Sequence, residues 1–176
     1  MPLFQALLFL VSIELFSVCH ALSIHRDRTT NIPEALSLNT TKVGTVYDYF
    51  VYGSSTKIRF TTLSDRFMIN SPDTNMCLTR GLLITTRSVA ARGGKALASK
   101  AELEFDYQSA DLQLEHSDQG PGGMELAVLA DLLYGIAYVM YADGLHVEVK
   151  LDVWDGRLHV GNGWLLNKDH PQARIG

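Results

Sequence analysis

Four titratable side chains near the C-terminal end of the chain have the types and spacing for proton chemistry. His146, Glu148 and Asp152 stand at even spacing in a run whose intervening positions include Val147, Val149, Leu151 and Val153, so an extended backbone puts all three on one face. Asp155-Gly156 is a favoured two-residue hairpin turn. Folding the chain back there sets Trp154 opposite Arg157, Val153 opposite Leu158, Asp152 opposite His159 and Leu151 opposite Val160. A carboxylate beside an imidazole raises its pKa and orients its proton. Asp152, His159, His146 and Glu148 are therefore the candidate catalytic residues, as general acid–base apparatus or as a metal set of two histidines and a carboxylate. The plain alternative is a cross-strand ion pair on a solvated face, because metal ligands converge to ~2 Å while strands lie ~4.8 Å apart. No metal and no cofactor is assigned.

Other residues invite chemistry less directly. Tyr47, Tyr49 and Tyr52, with Tyr134, Tyr138 and Tyr141, offer aromatic faces with polar tips that suit sugars, peptides or flat small molecules, or that simply edge a core. Arg80, Arg87 and Arg92 recur along one stretch and could attract an anion, though a solvated face explains them as well. Glu102, Glu104, Asp106, Asp111 and Glu115 form an acidic ladder, but calcium ligands come from a loop that wraps the ion. There is no G-x-S-x-G elbow, H-E-x-x-H, C-x-x-C, phosphate loop or dinucleotide fingerprint. Gly161-Asn162-Gly163 ends a strand, where glycine marks a bulge or a close backbone approach, with Trp164 packing over the gap.

The elements that must position these residues follow from periodicity. Val46 to Tyr52 is an aromatic and β-branched run ended by Gly53, and Lys57 to Thr61 alternates, so both are strands and neighbours. Ser71-Pro72-Asp73 starts a helix that runs to about Arg92, with Ser or Asp as cap, Pro in the first turn, and Gly93-Gly94 as its end. Met76, Leu82, Leu83, Val89 and Ala90 make its apolar stripe. Leu103, Phe105 and Tyr107, then Leu112 and Leu114, are the buried face of a hairpin whose other face is acidic. After Gly120-Pro121-Gly122-Gly123, Met124 to Tyr141 is a helix apolar on nearly every side, as a central core helix is; about 17 residues including Asp131 is short for a membrane span. Leu82-Leu83 precedes Gly94 as Leu132-Leu133 precedes Gly144, an offset of 50 residues. The fold expected is α+β, an antiparallel or mixed sheet packed on two helices in the order ββαββαββ, with a possible duplicated ββα unit.

The 176 residues are 47% hydrophobic and 19% charged, which suits a globular domain. A net charge of −4 gives no long-range attraction for phosphate backbones or anionic lipid, and nucleic acid is not an expected partner. Leu3 to Leu15 is apolar apart from Gln5, Ser12 and Glu14, and Cys19-His20-Ala21 fits a signal peptidase. Residues 1–21 are read as a secretory signal peptide, 22–44 as a flexible N-terminal arm and 45–176 as a single domain, with no stable membrane insertion once the signal is removed. Losing Glu14 and Cys19 leaves 18 acidic residues against 15 basic, net −3, with Cys77 the sole cysteine. Cys77 lies between Met76 and Leu78 and is expected to be buried, the alternative being a thiol that pairs between chains. Asn39-Thr40-Thr41 is a glycosylation sequon, so Asn39 is a candidate modification site.

The stretch Met124 to Gly135, followed by an alternating strand and Val160-Gly161-Asn162-Gly163, together with the strand Ile58-Arg59-Phe60, resembles a group of uncharacterised small secreted proteins of filamentous ascomycete fungi. The resemblance covers about residues 56–166. It implies a secreted, extracellular α+β protein and no particular reaction. Three expectations follow. The first is a non-catalytic, effector-like protein that binds an unknown extracellular ligand or protein through its sheet face. The second is a small secretory-pathway enzyme or accessory factor in secondary-metabolite or peptide maturation. The third is a structural surface protein with a broad apolar patch.

Overall fold

The computed structural model describes residues 43–63, 69–118, 123–142 and 146–169, all within the unit Ala35–Gly176. The expected signal peptide, Asn39 and all but the last two residues of the expected arm lie outside them. Strand β1 spans Val46–Phe50 and β2 Thr56–Thr62; helix α1 is Ser71–Arg92; β3 is Glu104–Tyr107 and β4 Ala110–His116; helix α2 is Leu126–Ala142; β5 is Val149–Asp155 and β6 Leu158–Asn167. The six strands make one antiparallel sheet in the order β1-β2-β5-β6-β4-β3. The first hairpin forms one flank, the second hairpin the other, and the last hairpin fills the middle. This is the expected mixed α+β fold in its expected element order.

Alternation puts Ile58 and Phe60 of β2, Val149, Leu151 and Val153 of β5, Leu112 and Leu114 of β4 and Phe105 of β3 on one buried face. Both helices lie there, as Ile58 facing α2 and Phe105 facing α1 require. At Gly135 of α2 an added Cβ would come within 2.5 Å of Ile58 Cδ1, and at Gly81 of α1 within 3.3 Å of Phe105 and Leu133. Glycine thus lets α2 settle onto β2 and lets α1 reach the sheet and α2 together. The start of α2 is held by His116, whose Nδ1 accepts the Met124 N–H at 2.9 Å while Nε2 donates to the Ala98 carbonyl at 3.0 Å. That pair of partners requires the neutral Nε2–H tautomer. No described helix is long and apolar enough to cross a membrane.

Three local expectations are corrected. The cap of α1 is Asn70, with no side-chain hydrogen bond; Asp73 turns away, accepting at 2.6 Å from the Ser109 hydroxyl and at 3.3 Å from its backbone N–H. The buried stripe of α1 is Thr74, Cys77, Leu78, Gly81 and Thr85, while Met76 and Leu83 are exposed, because close helix approach favours small residues over large apolar ones. The last hairpin turns one residue later than expected. Asp155 pairs with Leu158 and Trp154 with His159, and after a bulge at Val153/Trp154 the facing pairs are Val153–Gly161, Asp152–Asn162 and Leu151–Gly163. Within the turn only Gly156 takes positive φ, +58°, so it is the first central residue of the turn, the place a type II′ hairpin reserves for glycine. Leu158 consequently leaves the core and is 57% exposed.

Candidate functional site

The sheet face opposite the helices carries β5 side chains Lys150, Asp152 and Trp154, flanked by Lys57 and Arg59 from β2 and by His159 and Asn162 from β6. Register explains the grouping. Lys57 is directly across from Trp154 and Arg59 from Asp152, so both cations project over the indole: Lys57 Nζ is 4.0 Å and Arg59 Cζ 5.3 Å from the ring centroid. A cation over the face of an indole is attracted by the ring's negative quadrupole. His159 closes the other side of Trp154, its ring 5.1 Å away and tilted by 59°. Arg59 also grips Asp48 of β1 in a two-pronged pair of 2.7 and 3.0 Å, and its hydrogen bond holds the Asp48 carboxyl below its ordinary range.

Asp152 and His159 are brought together, though diagonally. His159 Nε2 lies 3.8 Å from Asp152 Oδ1, and Lys150 Nζ is 3.7 Å from the same oxygen. These are ion-pair separations, longer than hydrogen bonds. The closer partner of the imidazole is Ser117, whose hydroxyl is 2.8 Å from Nδ1. Ser117, Lys57 and Arg59 were not singled out from the sequence, and no local signal marks them. They reach the site through β4–β6 and β2–β5 pairing, which joins segments far apart in the chain. Ser117 is buried and its N–H bonds to the Val160 carbonyl, so the chain Ser117, His159, Asp152 orients the imidazole and does not present a hydroxyl to solvent.

Glu148 and His146 do not join this pair. Glu148 precedes Asp152 by four residues, about 13 Å along an extended chain. It is 1% exposed and accepts the Asn167 N–H at 2.9 Å. His146, two residues further back, accepts from Ile69 N–H through its backbone carbonyl; its buried Nδ1 has no hydrogen-bond partner among the described residues, and burial lowers its pKa. The proposed four-residue cluster is therefore reduced to Asp152 with His159, while Glu148 and His146 are engaged elsewhere. Among the described residues no group of three or more His, Cys, Asp or Glu side chains is placed to hold a metal ion.

The remaining candidates are resolved by packing. Tyr47 stacks on Phe60 at 5.0 Å and Tyr49 on Tyr138 at 5.5 Å, while Tyr52 and Tyr141 stand exposed. Arg92 is engaged by Glu102, and Arg80 reaches toward the Asp106 carbonyl, so these two arginines are committed to different partners. Glu102 leaves the acidic ladder: it sits in a 3-10 turn, Lys100–Glu102, bound by Ser88, Arg92 and Ser99. Cys77 is fully buried, its Sγ 3.4 Å from the Phe105 carbonyl, and burial pushes the thiol up to about 11. What the site can do is recognise: an indole framed by an ammonium, a guanidinium and an imidazole, with carboxylates beside them. Comparison of the chain with protein-family models, with curated proteins and with solved structures returns no match.

Proposed function

We propose that the chain is a small secreted fungal protein that acts outside the cell as a non-catalytic binder, engaging a host, wall or self component through the open sheet face at Trp154. The observation that carries this reading is the placement of Trp154 between Lys57, Arg59 and His159 on the face that both helices leave uncovered. A flat, half-buried aromatic with cations and a carboxylate at its rim suits a sugar or peptide better than a reaction centre. The test is retention of the purified protein on a glycan array, on fungal wall extract and on host lysate. Trp154→Ala should reduce retention at least tenfold while leaving the thermal midpoint of unfolding within a few degrees of the parent. Absence of retention on all three, or equal retention by the variant, counts against the proposal.

A second reading, a secretory-pathway enzyme or accessory factor, draws on the hydrogen bond between Ser117 and His159 with Asp152 nearby. A strain producing His159→Ala should then accumulate an unprocessed metabolite or peptide; an unchanged profile removes this alternative.

A further inference from the structure

We infer that two copies of this chain join edge to edge through β1, antiparallel about a two-fold axis at Asp48, so that the sheet continues across the interface. Among the described residues β1 is an edge strand, bonded to β2 alone. Its inward-facing residues are set by the bonds Thr62 N–H to Thr45 O and Val51 N–H to Thr56 O. Alternation then turns the N–H and C=O groups of Val46, Asp48 and Phe50 outward, away from the sheet. Edges are normally blunted by lysine, proline, a bulge or brevity. The opposite edge, β3, is so protected: it has four residues, two of them acidic and ion-paired to Lys100 and Lys168. β1 carries none of these devices. Its single charge, Asp48, is already bound by Arg59 on its own sheet.

Apolar exposure concentrates at the same margin. Of the ten exposed large hydrophobic side chains among the described residues, six sit on β1, at its two ends or on the part of α2 stacked against it: Val43, Val46, Phe50, Tyr52, Tyr138 and Tyr141. Phe50 is 70% and Tyr52 90% exposed. The occupant that fits is a second copy, because the edge is complementary to itself. Outward groups must meet outward groups, which puts a two-fold axis at a residue and not between two, and only an axis at Asp48 pairs all five strand residues. That axis places Val46 opposite the partner's Phe50 and Tyr47 opposite the partner's Tyr49, each twice, and makes about six backbone hydrogen bonds. The two Asp48 carboxylates meet at the axis, each already neutralised by its own Arg59. Such a contact is isologous and closes at two subunits.

The experiment is analytical ultracentrifugation of the purified protein over a concentration series, with two sets of variants. The parent should sediment as a dimer. Val46→Lys with Phe50→Lys should raise the dissociation constant at least 100-fold with an unchanged circular dichroism spectrum, whereas Leu158→Lys, an equally exposed site elsewhere, should leave it unchanged. Asp48→Cys should give a disulfide-linked dimer on mild oxidation, since facing residues of a hydrogen-bonded pair lie ~5.5 Å apart, within disulfide reach; Val46→Cys, which faces the partner's Phe50, should not. A protein that is monomeric at every concentration overturns the inference, whether amide exchange at Val46, Asp48 and Phe50 is fast or is slowed by other residues of the same chain. So does a dimer indifferent to the Val46 and Phe50 lysines, or one cross-linked through Val46→Cys in preference to Asp48→Cys.

Discussion

Glu102 offers a quantitative test of how the turn after α1 is held. Burial alone raises the pKa of this carboxyl, but hydrogen bonds from the Ser88 hydroxyl, the Ser99 N–H at 2.7 Å, the Ser99 hydroxyl at 2.8 Å and Arg92 outweigh that and bring it down from 4.5 to about 2. At ~1.36 kcal/mol per tenfold change the full effect is about 3.4 kcal/mol. Arg92 is 42% exposed, so water screens the charged contact, and about 1–2 kcal/mol is the expected contribution. A folded-state pKa below the unfolded one stabilises above pH 4.5, and that stabilisation is lost as pH falls toward 2. Urea unfolding of the parent and of Glu102→Gln, followed by tryptophan fluorescence, should therefore differ by about 1–2 kcal/mol at pH 7. The gap should narrow steadily below about pH 5. Other carboxyls titrate alike in both proteins and cancel. A gap that stays constant between pH 7 and pH 3 would show that the carboxylate's charge is not what holds the turn.

The glycines of the last hairpin should divide by mechanism. An added Cβ at Gly161 would come within 2.6 Å of the Glu115 carbonyl oxygen, and at Gly163 it would meet the Gln113 carbonyl oxygen, so Gly163→Ala should destabilise by about 3 kcal/mol in urea unfolding. Gly156→Ala meets no atom within 4 Å and bears only the strain of its φ of +58°, about 1 kcal/mol; equal losses at the two positions would refute the packing argument. Cys77, buried and with its thiol pushed up to about 11, should resist a thiol reagent at pH 8 until the protein is unfolded, and rapid labelling of the native protein would contradict that burial.

Strict alternation made β4 and β5 readable from sequence, since each residue's face follows from its parity once one face is buried. The turn at Asp155-Gly156 was legible as a turn but not in its register, because Asp-Gly permits two placements and the bulge at Val153/Trp154 adds another shift. That is why Asp152 was expected opposite His159 and is found opposite Asn162, while Trp154 faces His159. Helix α1 misled for a different reason: its buried face is Thr74, Cys77, Leu78, Gly81 and Thr85, and a contact made mostly by small or polar residues, with one leucine among them, leaves no hydrophobic stripe to see. Of the candidate site, Asp152 and His159 were visible as neighbours within one hairpin. Lys57, Arg59 and Ser117 were not, because only the order of strands in the sheet makes them neighbours, and no local pattern encodes that order.

The position of the β5–β6 hairpin has a kinetic consequence. The last two of the described strands occupy the centre of the sheet, so β2 and β4 remain open on their inner sides until the β5–β6 hairpin wedges between them like a keystone. Pairing Thr56 with Asp155 closes a loop of about a hundred residues, and such long-range closure slows folding. A fragment lacking this hairpin would hold two half-sheets, each with a sticky inner margin, and only arrival of the hairpin lets them merge into one sheet.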